Sequence, residues 1–239
     1  MRFRAFCNDI KNGAFRLMNY LHAGFSRLDI TPMLGISLHG YYQTRLADGV
    51  LDEVQINALA LSCGESQAVL ISMDHCGITL DVADESRGHI AQSTGLPLEC
   101  IYLSATHTHT NAYLLKDSDD PLLQEYYRTV CRKLTYAAVL ALQDLQPTRM
   151  GWGVGNAPGV AFIRRYKMND GSVRTNPGVD NPNIVGPIGQ VDDRVNVLRF
   201  DRERDSLVLV NFGNHPDVVG GCKISADWPG SCSGCSTGL

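Results

Sequence analysis

His107 and His109 end a stretch, residues 100–109 (C-I-Y-L-S-A-T-H-T-H), that begins as an apolar run of strand-forming residues. Side chains alternate along an extended chain, so both imidazoles would project to one side and Thr106 and Thr108 to the other. Imidazole is the commonest metal ligand, and two of them leaving the end of a buried strand make a place for a metal ion. The same pair also reads as a chance His-x-His in a polar loop. A second stretch shifts the balance. Residues 206–212 form another apolar run that ends in N-F-G-N-H-P-D, so His215 too stands just past a strand end, and Pro216 stops further pairing. Ligands of open α/β sheets gather outside the carboxyl ends of the strands. Two strand ends could thus bring His107, His109 and His215 to one cleft.

Other groups are less specific. Asp74 and His75 follow an apolar run, where the carboxylate is either a partner that orients a ligand imidazole or a turn former. Asp227, in I-S-A-D-W-P-G, is a ligand, a base or a cap. Arg164 and Arg165 lie in a Gly/Pro-rich region, where a guanidinium either clamps a carbonyl or carboxylate or is solvated at the surface. Cys232 and Cys235 have no second pair to complete a zinc knuckle. The sequence contains no Gly-x-Ser-x-Gly elbow, Walker loop or dinucleotide fingerprint.

The elements that must position these groups follow from periodicity and punctuation. A short strand begins after Ala23 and runs into ordered loop at Asp29, Thr31, Pro32 and Gly35. Residues 54–63 and 67–74 are apolar runs joined by Gly64-Glu65-Ser66, a hairpin of buried strands. Residues 81–94 carry a helical pattern stopped by Gly95, and the strand leading to the histidines comes next. Strand, helix and strand in close succession predict a right-handed crossover between parallel strands. Asp120-Pro121 opens the clearest helix, with Leu123, Tyr127, Val130, Leu134, Ala138 and Ala141 on one face and Pro147 beyond its end. Residues 151–193 are rich in Gly, Pro and Asn and read as a long ordered loop. Residues 194–200 and 206–212 read as a second hairpin. The expected fold class is α/β, a mixed sheet flanked by helices, with a metal site at the C-terminal ends of strands.

Composition sets the outer limits. A chain of 239 residues, 44% hydrophobic and 19% charged, is an ordinary globular one with room for one sizeable core or two small ones. Its net charge of -4 argues against a nucleic-acid partner. No apolar run reaches the roughly 20 residues that span a bilayer. Asn8, Asp9 and Lys11 interrupt any apolar leader, so no signal peptide is read and a cytoplasmic protein is expected. The scattered cysteines suit small buried residues better than a disulfide framework.

Three segments carry a family resemblance: G-F-S-R-L-D-I-T-P (24–32), S-A-T-H-T-H (104–109), and N-H-P-D-V-V-G-G followed by I-S-A-D-W-P-G (214–230). Together they resemble the N-terminal catalytic domain of the neutral/alkaline non-lysosomal ceramidases. The resemblance divides the chain into an appendage at 1–22, a partial catalytic domain at 23–230 and an irregular tail at 231–239. It implies zinc held by His107 and His215, with His109 and Arg164 contacting substrate or assisting catalysis. It also implies further zinc ligands, a glutamate and a tyrosine, well downstream of the H-P histidine, and hence a truncated catalytic domain. Two positions depart from the family: Ile163 stands where it has Asn, and Thr110-Asn111 where it has Ser-Gly-Pro.

The activity implied is zinc-dependent hydrolysis of an N-acyl amide, ceramide or a smaller relative, in which zinc polarises the carbonyl and acidifies water while His109 and Arg164 stabilise the oxyanion. Two other classes stay open. One is a metal-independent hydrolase with Ser104 as nucleophile and His107 as base. The other is a lipid-amide-binding protein of the same fold without turnover. Oligomeric state is not legible.

Overall fold

The computed structural model describes residues 21–233. The tail cysteine Cys235 and most of the segment assigned as an N-terminal appendage, including the stretch read for a signal peptide, lie outside the described residues. The chain forms a mixed α/β structure. Its main strands are β1 (Leu21–Asp29), β2 (Gln55–Cys63) and β3 (Ser66–Met73). Helix α1 (Leu80–Thr94) leads to β4 (Ile101–Ala105), and helix α2 (Pro121–Gln143) follows. Strands β5 (Arg149–Asn156), β6 (Arg165–Met168), β7 (Val173–Thr175), β8 (Ile184–Pro187), β9 (Arg194–Asp201) and β10 (Ser206–Asn211) come next, before the short helix α3 (Asp227–Ser233).

The central sheet has five strands in the order β4-β3-β2-β1 and then Gln146–Pro147 at the edge. Strands β2 and β3 form the expected hairpin, with Ile56 opposite Met73 and Cys63 opposite Ser66. Strands β3 and β4 are parallel and lie at either end of α1, so this part of the chain is a crossover unit. Ala58, Ala60, Ile71 and Met73 meet Val82 and Ile90 of α1 and Val130, Leu134 and Ala138 of α2 in one core cluster. Both helices therefore cover the same face of the sheet. The opposite face receives a second sheet of three strands, β10-β9-β5, whose Phe200 is fully buried against Ala23 and Leu59.

Two expectations change. Residues 151–193 are not one long loop: β5 belongs to the second sheet, and β6, β7 and β8 make a third. The strand character of β5 is masked by Gly151, Gly153 and Gly155, which alternate along it and face Arg199, Val197 and Val195 across a non-local pairing. Such a pairing is invisible to local periodicity. The boundary drawn at Ala23 also moves. Leu21 and His22 pair with Cys63 and Ser62, so they extend β1 and not a preceding appendage. At the other end, Ser231–Ser233, assigned to the tail, complete α3.

Strand β1 lies unusually close to α2. A side-chain carbon built on Gly24 would stand 2.0 Å from the Ala141 carbonyl oxygen and 2.8 Å from the Leu145 nitrogen. Around this contact Ser26 Oγ donates to the Ala137 carbonyl at 2.7 Å, and the Phe25 amide donates to Asp144 Oδ2 at 2.9 Å. The N-terminus of α2 is capped as its sequence implies, with Asp120 Oδ1 accepting from the Leu122 amide at 2.8 Å. Backbone atoms cannot yield as a flexible side chain can. Gly24→Ala should therefore destabilise the protein by roughly 3 kcal/mol, the upper end of overpacking costs, whereas Asp120→Ala should cost about 1 kcal/mol. Denaturant unfolding of the two variants checks that order.

Candidate metal centre

The site is built where β3 and β4 stop being strands but stay paired. Beyond Met73 and Ala105 the Thr106 amide still donates to the Met73 carbonyl at 3.0 Å, and the His107 amide to the His75 carbonyl at 2.8 Å. This sets Cys76 beside His107. The His107 backbone has φ 75°, a left-handed conformation that a non-glycine residue seldom adopts. The extended run assumed from the sequence thus breaks at His107. Beyond the break, alternation resumes: Thr108 and Thr110 are buried and both donate to the Ser225 carbonyl, at 2.8 and 3.0 Å, while His109 turns back towards His107.

His107, His109 and His215 come together. Ring centroids are 4.8 Å apart for His107 and His109, 5.1 Å for His107 and His215, and 4.7 Å for His109 and His215. His215 arrives from the second sheet, beyond the end of β10, so the two strand ends belong to different sheets and not to one open sheet. The three Nδ1 atoms face different oxygens. His107 Nδ1 bonds the Cys76 carbonyl, which places its proton on Nδ1 and its lone pair on Nε2. His109 Nδ1 and His215 Nδ1 lie 3.7 Å and 4.0 Å from the two carboxylate oxygens of Asp217. His107 Nε2 and His109 Nε2 stand 3.3 Å apart.

His107 and His109 are spaced to share a metal ion, zinc among those their imidazoles suit. Two ligands at about 2.0–2.1 Å on a tetrahedral ion stand about 3.3–3.4 Å from each other, which is the separation of the two Nε2 atoms. The set Cys76, His107 and His109 also brings its ligand atoms within 4.8 Å of one another, a softer N/N/S combination than the one read from the sequence. Cys76 was missed there because its position depends on the continued pairing of β3 with β4. Burial, helped by the charge of Asp217, raises its thiol pKa. Burial lowers the pKa of His109, with neighbouring positive charge acting the same way and Asp217 opposing it. His215 is lowered by burial first and then by Arg164 and His107. Neutral imidazoles are the metal-binding form.

The remaining sequence candidates separate. Arg164 is exposed just ahead of β6, close enough for its charge to act on His215. Arg165 is exposed within β6. Asp227 is a cap: its carboxylate accepts from the amides of Val218 at 3.0 Å, Val219 at 2.7 Å and Trp228 at 2.6 Å. Asp74 accepts from the Gln55 amide at 2.9 Å, and burial raises its pKa to about 6. Ser104 Oγ donates to the Ile71 carbonyl at 3.2 Å, and both ring nitrogens of His107 are engaged elsewhere. The Ser104–His107 dyad has no geometric support. Two aromatic and basic residues that the sequence did not single out, Tyr41 and Arg45, line the site. The Tyr41 hydroxyl bonds Asp217, and Arg45 lies over the Tyr41 ring at 4.0 Å and donates to the His109 carbonyl at 2.6 Å.

Two solved structures share this arrangement of elements. A neutral ceramidase from Pseudomonas aeruginosa superposes with a TM-score of 0.68 at 18% identity, over 87% of this chain and 34% of that one. A ceramidase complexed with C2 superposes with a TM-score of 0.66 at 20% identity, again over 87% and 34%. The fold is that of solved ceramidases. The chain spans about a third of the length of these structures. No protein-family model matches the sequence, and no curated protein matches it. Among the described residues no helix is long and apolar enough to cross a membrane.

Both lowered imidazoles yield a pH prediction. In the metal-free protein His109 and His215 should titrate below 6.5, whereas in the unfolded chain they titrate near that value. The folded state then binds fewer protons, so their contribution to stability is present above 6.5 and is lost as pH falls. Proton NMR titration of the imidazole C2–H signals, alongside thermal unfolding at each pH, tests the sign. Gly40 supplies a second test. It has φ 107°, and a side-chain carbon there would fall 2.6 Å from His109 Cβ. Gly40→Ala should shift the His109 resonances more than those of His215 and cost about 1–3 kcal/mol.

Proposed function

We propose that this chain carries the metal-binding part of a ceramidase-like, zinc-dependent hydrolase that cleaves the amide bond of an N-acyl substrate to a carboxylic acid and an amine. Ceramide is the leading member of that substrate class, and sphingosine would be its amine product. One observation carries the reading: His107 is fixed with its lone pair on Nε2, inside a group of three histidine rings no more than 5.1 Å apart, on a fold shared with ceramidases.

His107 and His215 would hold the metal. Bound zinc supplies Lewis acidity, which polarises the amide carbonyl and lowers the pKa of water. His109, with Nε2 beside His107 and Nδ1 towards Asp217, is placed to take a proton and, once protonated, to donate to the substrate's oxygen. Arg164, exposed and within electrostatic reach of His215, would meet the developing negative charge. A second reading rests on the 3.3 Å separation of the two Nε2 atoms, which suits His109 as a ligand alongside His107 and Cys76.

Metal analysis separates these possibilities. The protein purified without added metal should hold zinc, and His107→Ala should lose it. A chelator should abolish hydrolysis of an N-acyl amide. Zinc retained in His109→Ala with hydrolysis lost assigns His109 to the substrate, and zinc lost assigns it to the metal. A protein without zinc, whose His107→Ala variant binds added zinc as the parent does, would overturn the proposal. Zinc and lipid-amide binding without turnover would instead identify a binding protein.

A further inference from the structure

Asp217 stands two residues after His215, inside the N-H-P-D segment, with no residue type or spacing that assigns it a role of its own. Its carboxylate sits between two imidazoles, with Oδ1 3.7 Å from His109 Nδ1 and Oδ2 4.0 Å from His215 Nδ1. His109 Nδ1 is buried with no hydrogen-bond partner, although its ring is held on several sides. The Tyr41 ring meets it edge-on at 5.6 Å, Gly40 packs against its Cβ, and Arg45 takes its carbonyl. A buried polar nitrogen without a partner is costly, and the nearest anionic acceptor is Asp217. The carboxylate is itself tethered. Tyr41 bonds Oδ1, Arg45 covers Tyr41, and Arg45 is anchored by the carbonyls of His39 at 2.7 Å and Gly221 at 2.5 Å. The loop just beyond it is pinned by Asp227 through the Val218 and Val219 amides.

We infer that Asp217 is a positioning residue that attracts the Nδ1 protons of both His109 and His215 and so leaves both Nε2 atoms as lone-pair donors, for His109 in competition with donation from Nε2 to His107 Nε2 across 3.3 Å. The inference rests on the proposed metal site, but its central consequence does not require metal. His107 reaches the same tautomer through the Cys76 carbonyl, so one carboxylate and one backbone oxygen would preset all three rings. A carboxylate behind a ligand imidazole fixes its tautomer and raises its basicity, and loss of such a partner typically lowers metal affinity about 10- to 100-fold.

The test is nitrogen NMR of histidine-labelled, metal-free protein at a pH where the imidazoles are neutral. The parent protein should show His109 and His215 with the proton on Nδ1. Free imidazole side chains favour the proton on Nε2, so in Asp217→Asn both rings should move towards that form while His107 is unchanged. Asp217→Glu, which keeps the charge, should retain much of the parent pattern, and Tyr41→Phe should weaken it without abolishing it. Zinc affinity of Asp217→Asn should fall about 10- to 100-fold, with thermal stability near that of the parent. Tautomers identical in parent and Asp217→Asn would overturn the inference, whatever the metal content. A tautomer shift in a protein that binds no zinc would keep the role of Asp217 and remove the proposed function.

Discussion

The pairing of β3 with β4 outlasts the strands themselves, and the site depends on that continuation. Parallel neighbours hold their ends level, so the residues after Met73 and after Ala105 leave the sheet side by side. Two more backbone hydrogen bonds, from Thr106 and His107, carry the register past the sheet edge. The chain then turns at His107 through a left-handed backbone conformation, which is costly unless its surroundings determine it. Here they do, because His107 is held at its amide by His75 and at its ring by Cys76. The strain is local, and it converts two neighbouring strand ends into a cluster of ligand atoms.

The third imidazole comes from elsewhere, and its delivery relies on polar groups more than on apolar packing. Ser225 serves as a hub. Its carbonyl accepts from Thr108 and Thr110, and its hydroxyl donates to Asp52 at 2.6 Å. Asp227, two residues on, holds the loop that follows His215 and Asp217. The two aspartates that flank this segment therefore divide the work. One is consumed by backbone amides and fixes the loop, and the other faces the imidazoles. Both belong to the same 215–227 segment, in which the Asp217 amide also donates to the His215 carbonyl at 3.1 Å.

Legibility in the sequence followed the range of the interactions. Helix α2 could be drawn almost to its ends, since its N-cap, its apolar stripe and the proline beyond it are all local features. The β2–β3 hairpin and the stop of α1 at Gly95 are local in the same sense. Strand β5 was hidden because three alternating glycines carry no β signal, and only its pairing with β9 makes it a strand. Cys76 and Asp217 were hidden for a related reason. Cys76 acquires meaning only from His107 and His109, and Asp217, although beside His215 in the chain, only once His109 is brought to its other carboxylate oxygen.

The sequence by itself determined that histidines stand at the ends of apolar strands, and that the elements between them alternate as an α/β fold requires. Periodicity and capping encode such facts within a few residues. Only the tertiary structure decided that the two strand ends belong to separate sheets, that His107 turns through a positive φ, and which acceptor each Nδ1 faces. The physical reason is one of scale. A tautomer or a ligand distance is set by contacts of a few ångströms between residues remote in the chain, and no local pattern of residue types specifies them.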